Sequence, residues 1–396
     1  MTHRLAWVAA FLILPVGSAI FAGEELTVLT QNQYLGADLD AVVTAPDPWT
    51  FNAGMVAALR QIAANAFPER AQALATEIVS RRPHLVGLQE VFSFACLSLT
   101  PGACENFSGT GAFQDHLSGT LAALADQGGH YDVAAQVINL NLRGVPIDLD
   151  LPVPGELIVP DILVSVLDRD VILARGDVTT STVAGSVMAG GLCGLPVLPP
   201  SLGVSRPSAD GCNFAVVAAL PGPLGTIVVQ RGFVAVDATV GDRRYRFANT
   251  HLEVEGSAPI VQALQAADLI TTLRILTPSS TTLVLAGDIN SSPEDQPFLH
   301  PAFGPVLPPY RQLVAAGFAD AWDLRPGRPP GRTCCQASDL SNPESIASER
   351  IDVLFSREMP VGVRANTLGN DPEDRTVPSR LWPSDHAAVV GTLTFD

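Results

Sequence analysis

The segment LVLAGDIN, residues 283–290, places a carboxylate and an amide at the end of an apolar run. Asp288 and Asn290 are two residues apart, so on an extended chain their side chains point to the same side, while Ile289 points into the core. A carboxylate beside a buried strand needs a hydrogen-bonding partner or a metal ion. The pair can therefore face one phosphate or one water molecule together.

Other polar residues stand at the ends of apolar runs in the same way. They are Asn32 after LTVLTQ, Glu90 after HLVGLQ, His251 after RYRFANT, Asp352 within RIDVLFS, and Asp385 with His386 before AAVVGTL. Singly, each has a structural explanation, such as an Asx turn at Asn32 or Asp288, a core histidine at His251, or a strand cap at Asp385. Together they supply the ligands of a hard divalent cation with acid and base groups beside it. Oxygen ligands without thiolates favour Mg²⁺, Mn²⁺ or Ca²⁺ over zinc.

The elements that position these residues are short strands separated by helical patterns. Strands are predicted at ELTVLTQN, HLVGLQEV, RDVILAR, GTIVVQRGFVAVDATV, RYRFANTHLE, TTLVLAGDIN, RIDVLFS and AAVVGTLTF, and helices at 53–82 and 257–276. This alternation predicts an α/β (α+β) fold in which mixed sheets are covered by helices. Because no repeat or linker divides the chain, residues 23–396 are interpreted as one domain.

Two regions depart from this rhythm. Residues 136–167 alternate apolar and polar residues with several prolines, and residues 185–213 are rich in Gly and Pro. Both are interpreted as loop or hairpin insertions that shape a binding site. A simple edge extension of the sheet is an equal alternative, and an apolar insertion at 136–167 that touches a lipid surface is a further one.

The first residues predict export. Arg4 precedes an apolar run from Leu5 to Val16, and small residues follow up to Ala22. Residues 1–22 are interpreted as a secretory signal peptide, since the run is shorter than the roughly 20 residues that span a bilayer. A retained anchor is the alternative. With no other apolar stretch of sufficient length, we expect a soluble, extracellular or periplasmic protein.

Export makes the six cysteines candidates for disulfide bonds. The expected pairs close short local loops: Cys96 with Cys104, and Cys193 with Cys212. The adjacent Cys334 and Cys335 are harder to place, because a bridge between neighbours strains the backbone. A structural zinc site is disfavoured, because the chain has no Cys-x-x-Cys motif and no nearby pair of histidines.

Charge and composition exclude several functions. The formal charge of −17 argues against nonspecific clamping of a polyanion, although a local arginine cluster with a bound metal can reverse the sign inside a cleft. The chain contains no lysine, so all 23 basic residues are arginine. Schiff-base chemistry, pyridoxal phosphate attachment and a phosphate-loop lysine are therefore excluded.

Seven short motifs occur in one order between residues 26 and 396: TQN, LQE, RGF, NTHLE, GDIN, RID and SDH. In this order they resemble the endonuclease/exonuclease/phosphatase (deoxyribonuclease I-like) superfamily, which includes nucleases, sphingomyelinases and inositol polyphosphate phosphatases. The resemblance implies a four-layer α/β/β/α sandwich with the active site at one open end. The conjunction is far more specific than any single motif.

The resemblance also implies roles around the metal and the attacking water. Glu90 would be the principal metal ligand, with Asn32 and Asp385 around the same ion, expected to be Mg²⁺ or otherwise Mn²⁺ or Ca²⁺. Asp288 would orient or deprotonate the attacking water. Asn290 would hold the phosphate and that water in line.

The remaining roles concern the phosphate. His386 would contact a phosphoryl oxygen, with its tautomer and charge fixed by Asp352. His251 resembles the second histidine of the deoxyribonuclease and sphingomyelinase branches, and Arg231 of RGF resembles an arginine that contacts phosphate. The sequence shows no carboxylate to partner His251, which is a departure from the deoxyribonuclease pattern.

The sequence therefore predicts a secreted, Mg²⁺-dependent phosphoesterase that hydrolyses phosphodiester bonds by in-line attack of water. Nucleic acid and phospholipid head groups are the two expected substrate classes, corresponding to nuclease-like and sphingomyelinase-like activity. The alternative is a noncatalytic secreted binding module on the same scaffold. Loss of Glu90, Asp288 or His386 would indicate that alternative, and all three are present.

Overall fold

The computed structural model describes residues 24–107, 112–183, 210–223, 225–256, 259–327 and 329–396. The predicted signal peptide, Cys193 and most of the segment 185–213 lie outside these residues. Within them, no helix is both long enough and apolar enough to cross a membrane.

The strands of the described residues are β1 (Glu24–Asn32), β2 (Leu85–Gln89), β3 (Ser93–Ser98), β4 (Tyr131–Ile147), β5 (Ile162–Arg175), β6 (Thr179–Thr182), β7 (Gly211–Asn213), β8 (Ala218–Gly222), β9 (Gly225–Val229), β10 (Gly232–Val240), β11 (Arg243–His251), β12 (Thr282–Asp288), β13 (Phe298–His300), β14 (Gly304–Val306), β15 (Ala319–Asp320), β16 (Asp352–Ser356), β17 (Gly362–Leu368) and β18 (Ala388–Phe395). The α-helices are α1 (Asp40–Val43), α2 (Pro48–Ala64), α3 (Phe67–Arg81), α4 (His116–Asp126), α5 (Pro259–Leu276), α6 (Pro309–Ala315) and α7 (Ala321–Leu324). Short 3₁₀ turns occupy Cys104–Phe107 and Pro372–Asp374.

Most of these strands form two mixed sheets. The first has the order β17-β18-β1-β2-β5-β3, with β4 paired along β5, and the second has the order β15-β16-β12-β11-β10-β6, with β7 paired to β10. In each sheet two central strands are parallel, namely β1 with β2 and β11 with β12. Their flanking partners β18 and β16 run antiparallel.

The two sheets pack face to face through a dry core. Val28 and Leu85 of the first sheet meet Val236, Phe247 and Val284 of the second, and all five are buried. Burying such side chains contributes about 1.5–3 kcal/mol each. This contact explains why the central strands are apolar on the face between the sheets.

Helices cover the outer faces. Leu74 and Ile78 of α3 pack on the first sheet, while Leu269 and Leu273 of α5 and Leu313 of α6 pack on the second. The order of layers is thus helix, sheet, sheet, helix. The predicted α/β/β/α sandwich is confirmed by these layers.

One predicted helix is in fact two. The helical pattern predicted over 53–82 contains a break, since α2 ends at Ala64 and α3 begins at Phe67. Pro68 has no N–H to continue the hydrogen-bond ladder, and Ala66 takes a left-handed conformation at φ 39°. The pattern therefore forms two helices that meet at this turn.

The segment 136–167 extends the first sheet. Strands β4 and β5 pair antiparallel. Tyr131 is paired with Arg175 at one end and Ile147 with Ile162 at the other, and β4 is an edge strand beside β5. The edge-extension alternative therefore describes this segment better than a separate loop.

The described cysteines include one predicted bridge and one unexpected bridge. Cys96 and Cys104 form a disulfide with an S–S distance of 2.00 Å, as predicted. Cys334 and Cys335, for which the sequence left the pairing open, also form a disulfide. The local chain conformation brings the two sulfurs together, which sequence spacing alone does not reveal. The predicted pairing of Cys193 with Cys212 involves a residue outside the described part of the chain.

Candidate active site

The predicted site residues meet at one end of both sheets. The parallel strands β1 and β2 end at Asn32 and Gln89, and β11 and β12 end at His251 and Asp288, so these termini lie at the same edge. Asp352 begins β16 directly opposite Asp288. The segment before β18 supplies Asp385 and His386 beside the end of β1.

A glycine permits the close approach of two of these strands. Gly287 has φ 149°, and a Cβ at this position would lie 2.1 Å from the carbonyl oxygen of Thr250 on β11. The G of the GDIN motif therefore sets the position of Asp288 against the neighbouring strand. Any larger residue would displace one of the two strands.

Asn32 connects the two sheets within the site. Its Nδ2 donates to Glu90 Oε1 at 3.2 Å and to Asp288 Oδ2 at 3.1 Å. Its Oδ1 accepts from the backbone N–H of Tyr34 at 2.9 Å. One amide thus holds carboxylates from the LQE and GDIN motifs in a fixed relation.

Glu90 is held by both carboxylate oxygens. Oε1 accepts from Asn32, and Oε2 accepts from the backbone N–H of Leu35 at 2.9 Å. Its backbone has φ 53°, in the left-handed region that non-glycine residues rarely adopt. Such conformations cost about 1–3 kcal/mol and cluster at functional sites.

The oxygen donors fit a hard divalent cation. Burial raises the pKa of Asp385 to about 6, His386 opposes this shift, and the nearby Glu90 carboxylate adds to it. Asn32, Glu90 and Asp385 offer only oxygen ligands, the set that Mg²⁺, Mn²⁺ or Ca²⁺ prefers.

Asp288 lies at the centre of the cluster. Its Oδ1 accepts from the backbone N–H of Asn290 at 2.9 Å, which is the Asx turn that the sequence allows. Ile289 is fully buried on the opposite side, as predicted from the alternation. Burial raises the pKa of Asp288 to about 7, Asp352 adds to the shift, and His386 opposes it. A carboxylate with this pKa is suited to proton transfer near neutral pH.

His386 forms a dyad with Asp352. Its Nδ1 lies 2.8 Å from Asp352 Oδ2, so Nδ1–H donates to the carboxylate and Nε2 faces away from it. Burial lowers the pKa of His386, but the carboxylates of Asp352, Asp385 and Asp288 outweigh burial and raise the pKa well above its ordinary value. The imidazole is therefore charged near neutral pH and able to contact an anion.

His251 has a different environment. Its Nδ1 lies 2.9 Å from a guanidinium nitrogen of Arg231, and its Nε2 lies 3.2 Å from Nδ2 of Asn290, so donor groups face both ring nitrogens. Nε2 lies 3.5 Å from Asp288 Oδ2. Burial lowers the pKa of His251 well below its ordinary value, and Arg231 and His386 lower it further. His251 is thus neutral, in contrast to His386.

Arg231 lies behind His251. Its guanidinium is largely buried and also faces Glu253 Oε1 at 3.7 Å. Glu253, the last residue of NTHLE, therefore reaches His251 only through the arginine, while Asp288 is the carboxylate beside the ring itself. Arg231 was predicted to contact phosphate, whereas the contacts found in the structure are with His251 and Glu253.

The sequence did not reveal two buried residues that support the site through hydrogen bonds. Asn249 lies between the sheets, where Nδ2 donates to the carbonyl oxygens of Leu88 at 2.9 Å and Val171 at 3.1 Å. Its Oδ1 accepts from Gln89 of LQE. The letters N and Q inside two motifs were the available signal, since a polar residue within a buried strand needs a partner.

Arg70 was also missed, because it lies in a helix without any motif. It is 1% exposed. Its guanidinium donates to the carbonyl oxygens of Gln33, Tyr34, Asn65 and Pro383. It therefore fixes the loop after β1 to the segment that precedes Asp385.

Arg70→Met is expected to lower the free energy of unfolding by about 2–4 kcal/mol, because it leaves buried carbonyl oxygens without donors. Urea denaturation monitored by circular dichroism measures the change. Arg60→Met is the matched control, since Arg60 is exposed on α2 and its loss is expected to cost less than about 0.5 kcal/mol. Equal midpoints for both variants would contradict the role of Arg70.

The raised carboxylate pKa values predict how pH affects metal binding. Because the pKa values of Asp288 (about 7) and Asp385 (about 6) exceed their unfolded values, the native protein binds more protons than the unfolded chain between about pH 4 and 7. The metal-free protein should lose stability as pH rises through this window. Metal ions bind deprotonated ligands, so Mg²⁺ should raise the melting temperature more at pH 8 than at pH 5. Equal Mg²⁺-induced shifts at both pH values would contradict the site.

No protein-family model and no curated protein matches the chain. In fold, the chain is similar to endonuclease/exonuclease/phosphatase proteins. The similarity to the Leptotrichia buccalis protein covers 93% of this chain and 100% of that chain, at 13% identity and TM-score 0.48. The similarity to the Beutenbergia cavernae protein covers 94% of this chain and 72% of that chain, at 19% identity and TM-score 0.44. The similarity to the human Nocturnin catalytic domain covers 94% of this chain and 95% of that chain, at 15% identity and TM-score 0.44.

Proposed function

We propose that this chain is a secreted, divalent-metal-dependent phosphodiesterase that hydrolyses its substrate by in-line attack of water. The observation that carries the proposal is the hydrogen-bonded cluster of Asn32, Glu90, Asp288, Asp352 and His386. These residues are far apart in the sequence, and each arrives at the cluster from a separate strand end. A cluster of this composition matches the charge changes of phosphodiester hydrolysis.

The metal ligands are assigned to Asn32, Glu90 and Asp385. A bound Mg²⁺, or Mn²⁺ or Ca²⁺, would supply positive charge to the phosphoryl oxygens. The protein's contribution is a preorganised set of oxygen atoms. Asn32 and the backbone of Leu35 fix Glu90 before any ion binds.

The attacking water is assigned to Asp288, which orients it and accepts its proton. The pKa of about 7 suits this task. Asn290 is held close to Asp288 by the Asx turn, and it is assigned to keep the water and the phosphate in line. No covalent intermediate is required, because water is the nucleophile.

The two histidines have separate tasks. His386, charged and supported by Asp352, contacts a nonbridging oxygen through Nε2 as negative charge develops there. His251, which is neutral, is assigned to position Asp288 and Asn290, both of which lie beside its Nε2. Arg231 is assigned to orient His251, since its guanidinium donates to Nδ1.

The substrate class is proposed from the long hairpin of β4 and β5. Strand β5 pairs with β2 only between Val171 and Ala174, so residues 162–170 continue past the end of β2, where β3 pairs with them. At about 3.3 Å per residue this extension projects by roughly 30 Å. Ile147, Ile162 and Val164 of the hairpin pack against α2, so the hairpin extends the first sheet beyond the end of β2.

The tip is apolar and exposed. We define the hairpin-tip patch as Leu97, Leu99, Val153, Leu157 and Val159, whose exposures range from 51% to 81%. The end of β3 joins the tip because Leu99 N–H donates to Asp161 O at 2.7 Å. Clustered exposed apolar residues favour an apolar partner, and the net charge of −17 disfavours a polyanion. We therefore propose a phospholipid head group, sphingomyelin being the first to test.

A substrate panel tests this proposal. The panel comprises sphingomyelin vesicles, plasmid DNA, RNA, bis(nitrophenyl) phosphate and nitrophenyl phosphate, each with Mg²⁺ or EDTA. Mg²⁺-dependent hydrolysis of sphingomyelin and of the soluble diester is expected. Cleavage of nucleic acid without sphingomyelin would overturn the lipid assignment. Hydrolysis of none of them would favour the noncatalytic binding module.

The hairpin-tip patch gives a sharper prediction. Leu157→Asp places a charge on the most exposed residue of the patch, at 81% exposure. We expect it to reduce hydrolysis of sphingomyelin in vesicles by about tenfold or more, because a buried charge opposes contact with lipid. Hydrolysis of bis(nitrophenyl) phosphate by the same variant should be unchanged and serves as its internal control. Equal loss on both substrates would contradict a role in lipid contact.

A further inference from the structure

The Cys334–Cys335 disulfide lies against the catalytic histidine of the proposed site. The sulfur of Cys335 is 3.8 Å from Nε2 of His386, the ring nitrogen that faces away from Asp352. It is the same nitrogen to which the proposed function gives the contact with phosphate. No sequence motif assigns a role to this cysteine pair.

The chain on either side of the disulfide is fixed to both halves of the dyad. Thr333 Oγ1 accepts from the backbone N–H of Asp352 at 3.2 Å, and Thr333 O accepts from Ala387 N–H at 2.8 Å. Gln336 N–H donates to Asp385 O at 2.8 Å. The segment 333–336 therefore lies between the start of β16 and the segment preceding β18. These hydrogen bonds of Thr333 and Gln336 hold the two sulfurs beside His386.

The two sulfurs differ in exposure. Cys334 is buried at 6% exposure, whereas Cys335 reaches solvent. A thiolate attacks a disulfide at an accessible sulfur and forms a mixed disulfide first. A dithiol reductant can therefore attack Cys335, release the Cys334 thiol, and then close its own disulfide to release the Cys335 thiol. Both electrons come from the reductant, and both cysteines end as thiols.

We propose that reduction of this disulfide creates a binding site for a soft divalent metal, formed by Cys334, Cys335 and His386. One ligand atom of each residue lies within 4.8 Å of the other two. Two thiolates and an imidazole are the donors that zinc and cadmium favour over Mg²⁺. Metal binding releases the two thiol protons and any proton on Nε2. The site differs from the oxygen-ligand site of Asn32, Glu90 and Asp385 in its chemistry.

Occupancy of this site would remove His386 from catalysis, a consequence that rests on the proposed function. A metal bound to Nε2 blocks the atom that contacts the phosphoryl oxygen. The oxidised protein lacks the thiolates and is expected to stay active. The disulfide thus protects His386 from soft metals in an oxidising compartment, where disulfides persist.

Cadmium titration tests the site without requiring turnover. The full chain is reduced with dithiothreitol, freed of reductant under anaerobic conditions and titrated with Cd²⁺ while thiolate-to-cadmium charge-transfer absorption is recorded. Cys334→Ser/Cys335→Ser, treated identically, retains the other cysteines and is the matched control. The reduced wild-type protein is expected to bind one further equivalent of Cd²⁺ that the control lacks. If the double variant does not fold, Cys335→Ser alone replaces it.

The outcomes separate this inference from the proposed function. Equal cadmium absorption by the reduced wild type and the control would overturn it, as would unchanged cadmium affinity in a reduced His386→Asn variant. With bis(nitrophenyl) phosphate and excess Mg²⁺, Zn²⁺ should inhibit the reduced wild type far more than the oxidised protein or the control. A protein that binds the extra cadmium but hydrolyses no phosphodiester supports the site and refutes only the proposed function.

Discussion

Asp288→Asn is expected to lower kcat by about 10² or more while leaving the fold intact. Asparagine has nearly the same shape as aspartate, so its Oδ1 can still accept from the N–H of Asn290, which fixes the turn after β12. The amide cannot accept a proton from water, and it removes a negative charge from a buried cluster. Steady-state kinetics on bis(nitrophenyl) phosphate with saturating Mg²⁺ measures the loss.

A second buried carboxylate provides the control. Asp268 on α5 is 7% exposed and accepts from Ala215 N–H and Thr272 Oγ1, away from the proposed site. Asp268→Asn makes the same chemical change and should leave kcat unchanged. Near-normal turnover in Asp288→Asn, or equal losses in both variants, would reject the role assigned to Asp288.

Glu90→Gln is the second change with a large expected effect, a loss of about 10³ in kcat through weakened metal binding. Both oxygens of Glu90 accept hydrogen bonds, from Asn32 Nδ2 and from Leu35 N–H. An amide has one oxygen, so its NH₂ group must face one of these donors. The variant therefore loses a negative charge from the metal site and the two-sided support of its side chain.

Metal affinity is the quantity measured for this variant. Isothermal titration with Mn²⁺ is expected to show weaker binding by Glu90→Gln than by the wild-type protein. Glu77→Gln is the matched control, because Glu77 on α3 is buried with neither carboxylate oxygen hydrogen-bonded. Burial raises the pKa of Glu77 well above its ordinary value, so the neutral glutamine fits its environment. An unchanged Mn²⁺ affinity in Glu90→Gln would remove Glu90 from the proposed metal site.

The positions of the site residues could be predicted from the sequence because strand alternation is local. Asp288 and Asn290 follow a buried strand, and Ile289 between them is fully buried as the period of two requires. The ends of parallel strands meet at one sheet edge, so polar residues that follow several such strands converge. The convergence of Asn32 and Glu90 follows from this rule, whereas Asp288 belongs to the second sheet and joins them only because the two sheets pack together.

What could not be predicted depends on contacts between distant residues. Arg70 lies in a helix without any motif, and its partners at Tyr34 and Pro383 become neighbours only after the layers assemble. The contact between the Arg231 guanidinium and His251 could not be predicted either, because the RGF motif carries no information about side-chain orientation. The Cys334–Cys335 bridge required the local backbone conformation.

The measurement that most directly tests the central claim is the initial rate of bis(nitrophenyl) phosphate hydrolysis by EDTA-treated protein, before and after Mg²⁺ is restored. Wild-type protein should be inactive in EDTA and regain its rate with Mg²⁺, while Asp288→Asn should stay at least about 10²-fold slower at every Mg²⁺ concentration. Hydrolysis that persists in EDTA, or that Asp288→Asn performs at the wild-type rate, would contradict metal-dependent phosphodiester hydrolysis at this site.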